Sequence, residues 1–168
     1  MSARARDLRR EMTIEEVLAV LEEDPKRIRA LTAGISPERL RKAKVLGEWT
    51  AVDVLAHLRS CCDARGEFMR TMLAEQKPTL RAIDPRTLIK KTDYRDLEFA
   101  ASFRAFARQR ASLLVFLKAL PRRSWSRTAV VTGGGLARER TVLFYGAWLA
   151  RHERAHVDRL ARDIPRTL

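Results

Sequence analysis

Cysteine is nearly absent: the 168 residues hold two, Cys61 and Cys62, side by side. Adjacent cysteines rarely pair with each other, so no disulfide framework is expected, which suits a reducing cytoplasm. Long apolar runs are missing as well. The longest, Val142 to Ala150, is broken by Gly146 and falls well short of the ~18 residues of a membrane span. No apolar stretch precedes Met12, so no secretory leader is expected. Residues 1–11 read as a flexible basic tail before one domain over 12–168. Acidic residues are the minority, 21 against 34 Lys and Arg, for a net charge of +13. That balance admits a nucleic-acid surface. The basic residues are nonetheless spread along the whole chain, with no dense tract and no interleaved aromatics. Nucleic acid is therefore not the favoured partner, and a solvated surface is expected. The triple glycine Gly133-Gly134-Gly135 lacks the following Lys-Ser/Thr of a phosphate loop and reads as a turn.

What is present is helical patterning. Thr13 with Glu16 three residues on makes a capping box at the head of helix one, which continues through Val17, Leu18 and Leu21 to near Gly34. Asp24-Pro25 looks like a fresh cap followed by a first-turn proline, so this helix is expected in two pieces or kinked. Ser36-Pro37-Glu38 begins a short helical turn. Helix two is expected from Thr50, its cap, to about Glu75, with Asp53 in the first turn where the macrodipole favours an acid. Helix three is expected from about Tyr94 to Leu120. Phe99, Phe103, Phe106, Leu113, Leu117 and Leu120 give it a bundle seam, and Pro121 ends it. Helix four is expected from about Glu139 to Arg162. Two long joins remain, 76–93 and 121–138, the second with a possible small hairpin at Ala129–Thr132. The expected fold is an all-α four-helix bundle with short extra helical turns.

Histidine is scarce, with three in the chain, and all three fall on inward faces. His152 and His156 are four apart on helix four, one turn removed on nearly the same face, so two imidazoles can grip one metal. His57 shares its helix face with Val54, Cys61, Ala64 and Phe68. It lies about 10 Å from the start of helix two, and His156 lies about 10 Å from the end of helix four. The three rings therefore meet at one level only if those helices are antiparallel. That requires an up-down-down-up order with a crossover between helices two and three. The join at 76–93 can span it, since 18 extended residues reach over ~50 Å. His152-Glu153-Arg154-Ala155-His156 also matches the short zinc-protease pattern. The metzincin positions beyond it hold Arg159 and Arg162, and no glutamate or histidine follows, so protease is not expected.

Gly47-Glu48-Trp49-Thr50, then Val54-Leu55-Ala56-His57-Leu58, and the distant His-x-x-x-His helix together resemble the DinB/YfiT superfamily over about Met12 to Ile164. The resemblance implies an up-down-down-up four-helix bundle with a three-histidine site for zinc, nickel or a similar ion. It also implies metal-dependent enzymes, among them transferases using low-molecular-weight thiols (bacillithiol, mycothiol or glutathione), a maleylpyruvate isomerase, and stress-associated members. Homodimers are common there. The three ligands carry over onto His57, His152 and His156. Glu153 stands where many relatives have aspartate, so its acid/base role is open.

Three neutral imidazoles would leave a coordination position for water, a thiol or a small-molecule substrate. Thiol transfer is the reaction that the resemblance favours, with hydrolysis as its alternative; the rival is a non-catalytic metal- or ligand-binding protein or a basic-surface, nucleic-acid-associated stress protein. Glu153 is the candidate acid/base residue, or an ion-paired carboxylate. Arg65 and Arg110 interrupt apolar stripes where an aliphatic residue would fit. Each either anchors a substrate carboxylate or pairs with a nearby acid. Tyr145 and Trp148 share a face with His152 as pocket wall, core or both. Cys61, one turn after His57, is an extra ligand, a redox-sensitive thiol or a small buried core residue.

Overall fold

The computed structural model describes residues 11–45 and 47–164. The expected basic tail therefore lies outside the described residues, except for Glu11. In chain order the elements are α1 (Ile14–Thr32), α2 (Pro37–Leu40), α3 (Ala51–Ala74), β1 (Thr79–Arg81), α4 (Pro85–Ile89) and α5 (Phe99–Lys118). A 3-10 turn (Arg122–Ser126), β2 (Thr128–Thr132), β3 (Arg138–Thr141) and α6 (Val142–Asp163) follow. No helix among the described residues is long and apolar enough to cross a membrane.

The long helices α1, α3, α5 and α6 form the bundle, and its core divides into two clusters that reveal their directions. One joins Val17 and Leu21 from the start of α1 to Met69 and Met72 from the end of α3, Leu113 and Leu117 from the end of α5, and Val142 and Tyr145 from the start of α6. The other joins Ile28 from the end of α1 to Leu55 and Leu58 early in α3, Phe99 and Phe106 early in α5, and Val157 and Leu160 late in α6. Thus α1 and α6 run one way and α3 and α5 the other, an up-down-down-up order. Antiparallel α3 and α6 are what the depth of the histidines demanded.

Sequence chemistry fixes the helix starts. The Thr13 hydroxyl accepts from the Glu16 amide at 3.2 Å while Glu16 accepts from the Thr13 amide at 2.8 Å. Thr50 and Asp53 repeat this box at the head of α3, at 3.1 and 3.0 Å. These caps satisfy backbone donors that a helix N-terminus leaves open. Helix α1 continues through Pro25 instead of dividing there. Asp24 is not a fresh cap. Its carboxylate is buried and ion-paired to Arg154 of α6 at 2.7 Å and to Arg27 at 3.4 Å.

Two starts differ from expectation. Helix α5 begins at Phe99, not Tyr94. The preceding residues are held in turns by side-chain ties to α3: Tyr94 donates to Asp63 at 2.8 Å, and Arg95 to Asp53 at 2.7 Å. Helix α6 begins at Val142, capped by Thr141, and Glu139 belongs to a strand. Pairing of β3 with β2, Thr128 opposite Thr141 and Val131 opposite Arg138, commits that backbone to a ladder. The hairpin turns through Gly133 and Gly135 at φ 84° and 99°, a region only glycine enters cheaply. A third strand, unexpected from the sequence, comes from the crossover: β1 pairs parallel to β2, with Thr79 opposite Val130.

Candidate metal centre

His57 stands on the second turn of α3, whose rotation and start the Thr50–Asp53 box sets. Its ring is buried, with 4% of the residue exposed. His152 and His156 project from one face of antiparallel α6 and are half-buried. Each of the three offers one nitrogen, and the three nitrogens lie within 4.8 Å of one another. The Nε2 atoms of His57 and His152 are 2.8 Å apart. The ring centroids lie 5.0 Å apart for His57 and His152, 4.9 Å for His57 and His156, and 4.6 Å for His152 and His156.

Tryptophans hold two of these rings. Trp49 stacks on His156 at 5.8 Å, nearly parallel, and meets His57 edge-on at 4.9 Å. Trp148 stacks on His152 at 4.5 Å. Burial, with a smaller push from Arg159, lowers the His156 pKa, which favours the neutral imidazole that ligates metals. The donor set fits an ion: ligand bonds of about 2.0–2.1 Å in tetrahedral geometry put imidazole nitrogens about 3.3 Å apart. A cleft of about 450 Å³ opens beside the cluster, walled in part by Met12, Leu143, Phe144, Ala147, Trp148 and His152.

The other candidate residues fall in three places. Trp148 belongs to the histidine cluster itself. Arg65 and Tyr145 lie beside it: the Arg65 guanidinium carbon is 4.5 Å from the centre of the Trp148 ring and 5.7 Å from that of Tyr145. Arg110 and Glu153 form a separate enclosed ion pair between α5 and α6, 1% and 0% exposed. Arg110 also points toward Cys62 Sγ at 3.6 Å. Burial pushes the Glu153 carboxyl up to about 7 against the pull of Arg110, and Glu153 is not among the donors of the histidine cluster. Cys61 is fully buried, 3.5 Å from His57 Nε2 but outside the group of mutually close donors. Burial pushes its thiol up to about 12, away from the reactive thiolate.

Trp49 is a site residue that the sequence does not single out, although it stands directly ahead of the Thr50 cap. A bulky aromatic just before an N-cap folds back over the first turns of its helix, where His57 lies. The cleft walls Met12 and Phe144 left no comparable signal.

Comparison with known proteins agrees with this architecture. The model of the DinB superfamily matches residues 20–158. A protein of Geobacillus thermodenitrificans (strain NG80-2), provisionally named a metal-dependent hydrolase, is 31% identical over 91 residues. The match spans 53% of this chain and 50% of the relative, so the chain spans about half that protein's length. Among solved structures, YfiT from Bacillus subtilis is described as a probable metal-dependent hydrolase with an unusual four-helix bundle topology. It superposes with a TM-score of 0.70 at 20% identity, over 91% of this chain and 90% of its own. A mycothiol-dependent maleylpyruvate isomerase superposes at 0.68 with 17% identity, over 92% of this chain and 65% of its own. At those identities the likeness is one of fold.

Proposed function

The chain belongs to the DinB superfamily; from that premise we propose that it is a metal-dependent enzyme, with His57, His152 and His156 holding one divalent cation, zinc or nickel. When bound, such an ion supplies a Lewis acid that activates water or a low-molecular-weight thiol toward a small-molecule substrate. The observation that carries this reading is the convergence of the three nitrogens within 4.8 Å from helices far apart in sequence. Structural core histidines have no need to face one another. The named hydrolase relative supports attack by water. The fold shared with a mycothiol-dependent enzyme is compatible with a thiol in the same role.

The chain's own residues have distinct tasks. Trp49 and Trp148 orient the imidazoles by stacking, and the cleft beside Trp148 admits the substrate's apolar body and excludes bulk water. Glu153, enclosed against Arg110, is a positioning residue: it fixes the rotation of α6 next to His152. We further propose a homodimer, as the resemblance to the superfamily implies, and a cytoplasmic location, which the two unbridged cysteines suit.

Elemental analysis of the purified protein tests the reading. One divalent cation per chain is expected, lost in His57→Ala and His152→Ala variants whose helical circular dichroism is unchanged. Turnover screens of the loaded protein with and without bacillithiol, mycothiol or glutathione then separate hydrolysis from thiol transfer. A protein that takes up no metal, yet binds DNA with an affinity falling steeply with salt, would instead be the basic-surface protein.

A further inference from the structure

Arg65 is charged, half-buried and without an acid. Among the described residues no carboxylate lies within ion-pair distance of it, and its buried Nε has no hydrogen-bond partner. Three other arginines that reach the core have acids: the enclosed Arg110 is paired with Glu153, and the partly exposed Arg27 and Arg154 with Asp24. Arg65 instead rests among aromatic rings, its guanidinium carbon 4.5 Å from Trp148, 5.6 Å from Phe68 and 5.7 Å from Tyr145. Rings stabilise a cation only in part, and the planar fork keeps donors to offer. Asp84 is near enough to act on it electrostatically but makes no ion pair with it.

Its place matters as much as its lack of a partner. His57, Cys61 and Arg65 follow one another at four-residue spacing along one face of α3. That sets the Arg65 Cα about 12 Å along the axis from that of His57. Helical side chains lean toward the N-terminus, so Arg65 leans back toward the histidines. The ring it touches, Trp148, also stacks on His152 and walls the cleft. One indole thus joins an unpaired cation to the candidate centre.

We propose that Arg65 is an anion anchor that takes the carboxylate of a small organic acid with an apolar body, lying along Trp148. A carboxylate is the matched partner because its two oxygens meet two parallel N–H groups of the guanidinium. That the far end of this acid reaches the reacting centre rests on the metal reading; carboxylate capture at Arg65 does not.

Benzoate is the probe, with benzamide as its uncharged counterpart, titrated by calorimetry and by tryptophan fluorescence at constant ionic strength. Metal-stripped protein is expected to bind benzoate and to ignore benzamide at the same concentrations. Arg65→Gln is expected to weaken benzoate by about tenfold or more, with Arg65→Lys intermediate and Arg104→Gln, an exposed control, unchanged. His57→Ala is expected to keep benzoate binding, so failure of the metal reading and failure of this one give different patterns. The proposal is overturned by no benzoate binding in the wild type, by equal binding of benzamide, by loss of benzoate on stripping the metal, or by full affinity in a folded Arg65→Gln. Should Arg65→Gln not fold, full benzoate affinity in Arg65→Lys overturns it as well.

Discussion

Arg110 and Glu153 show what a buried charge costs when its partner is removed. Both are almost wholly enclosed, and each is the other's counter-ion. Two charges taken from water are repaid mainly by each other, so deleting one strands the other. Arg110→Ala is therefore expected to lower unfolding free energy by about 3–5 kcal/mol. The double variant Arg110→Met with Glu153→Leu replaces the pair by apolar groups and should recover most of that loss. Urea unfolding of the two proteins checks this, and equal losses would mean that the pair is not the source. The sequence showed Arg110 as a break in an apolar stripe and Glu153 as an acid/base residue or an ion-paired carboxylate. It did not show that they meet, because their contact spans two helices separated by a long join. The histidines were legible for the opposite reason. Being few, and spaced on strong helices at matched depths, they could converge in only one arrangement.

At the scale of the element, the boxed starts at Thr13 and Thr50 were readable because a cap is a local contract between residues three apart. Starts that depend on distant partners were not. Helix α6 gives its first residues to a hairpin ladder, and the residues before α5 are tied to α3 by Tyr94 and Arg95. Strand β1 is three residues long, too short for the Thr-Leu-Arg alternation to stand out in the sequence. The Thr50 box makes two predictions. Thr50→Ala should cost about 1 kcal/mol of stability, measured by thermal or urea unfolding. Asp53 should also make stability pH-dependent. Burial works upward on its carboxyl, but hydrogen bonds from the Thr50 backbone and hydroxyl and from Arg95 outweigh it, and its pKa falls below the ordinary 3.8. The unfolded chain then binds the proton more readily than the folded one. The stabilisation is present above 3.8 and is lost as pH falls through the lower folded value. In Asp53→Asn this part of the acid slope should disappear. An acid limb identical in the two proteins would assign it to other carboxylates.

For the whole molecule, the up-down-down-up order is the property on which the centre depends. A simple alternating bundle would set α3 and α6 parallel, and His57 would miss His152 and His156 by about 10 Å along the axis. The crossover from α3 to α5 is what avoids this, and β1 fastens its early part to the hairpin that leads into α6. A metal bound between α3 and α6 would then tie together two segments 95 residues apart, at His57 and His152. Binding to the folded state alone adds about 2.7 kcal/mol at a free concentration 100 times the Kd. For a domain of this size each kcal/mol moves the melting temperature by about 2–4 °C. Calorimetric melting with saturating zinc is therefore expected about 5–10 °C above melting in chelator. His57→Ala should melt at one temperature under both conditions. Hydrogen exchange should slow most in early α3 and late α6, where Leu55, Leu58, Val157 and Leu160 share a core cluster. The opposite end, around Met72 and Leu117, should change less. A zinc-induced rise that persists in His57→Ala would place the ion elsewhere, and the three-histidine centre would have to be abandoned even though the fold stands.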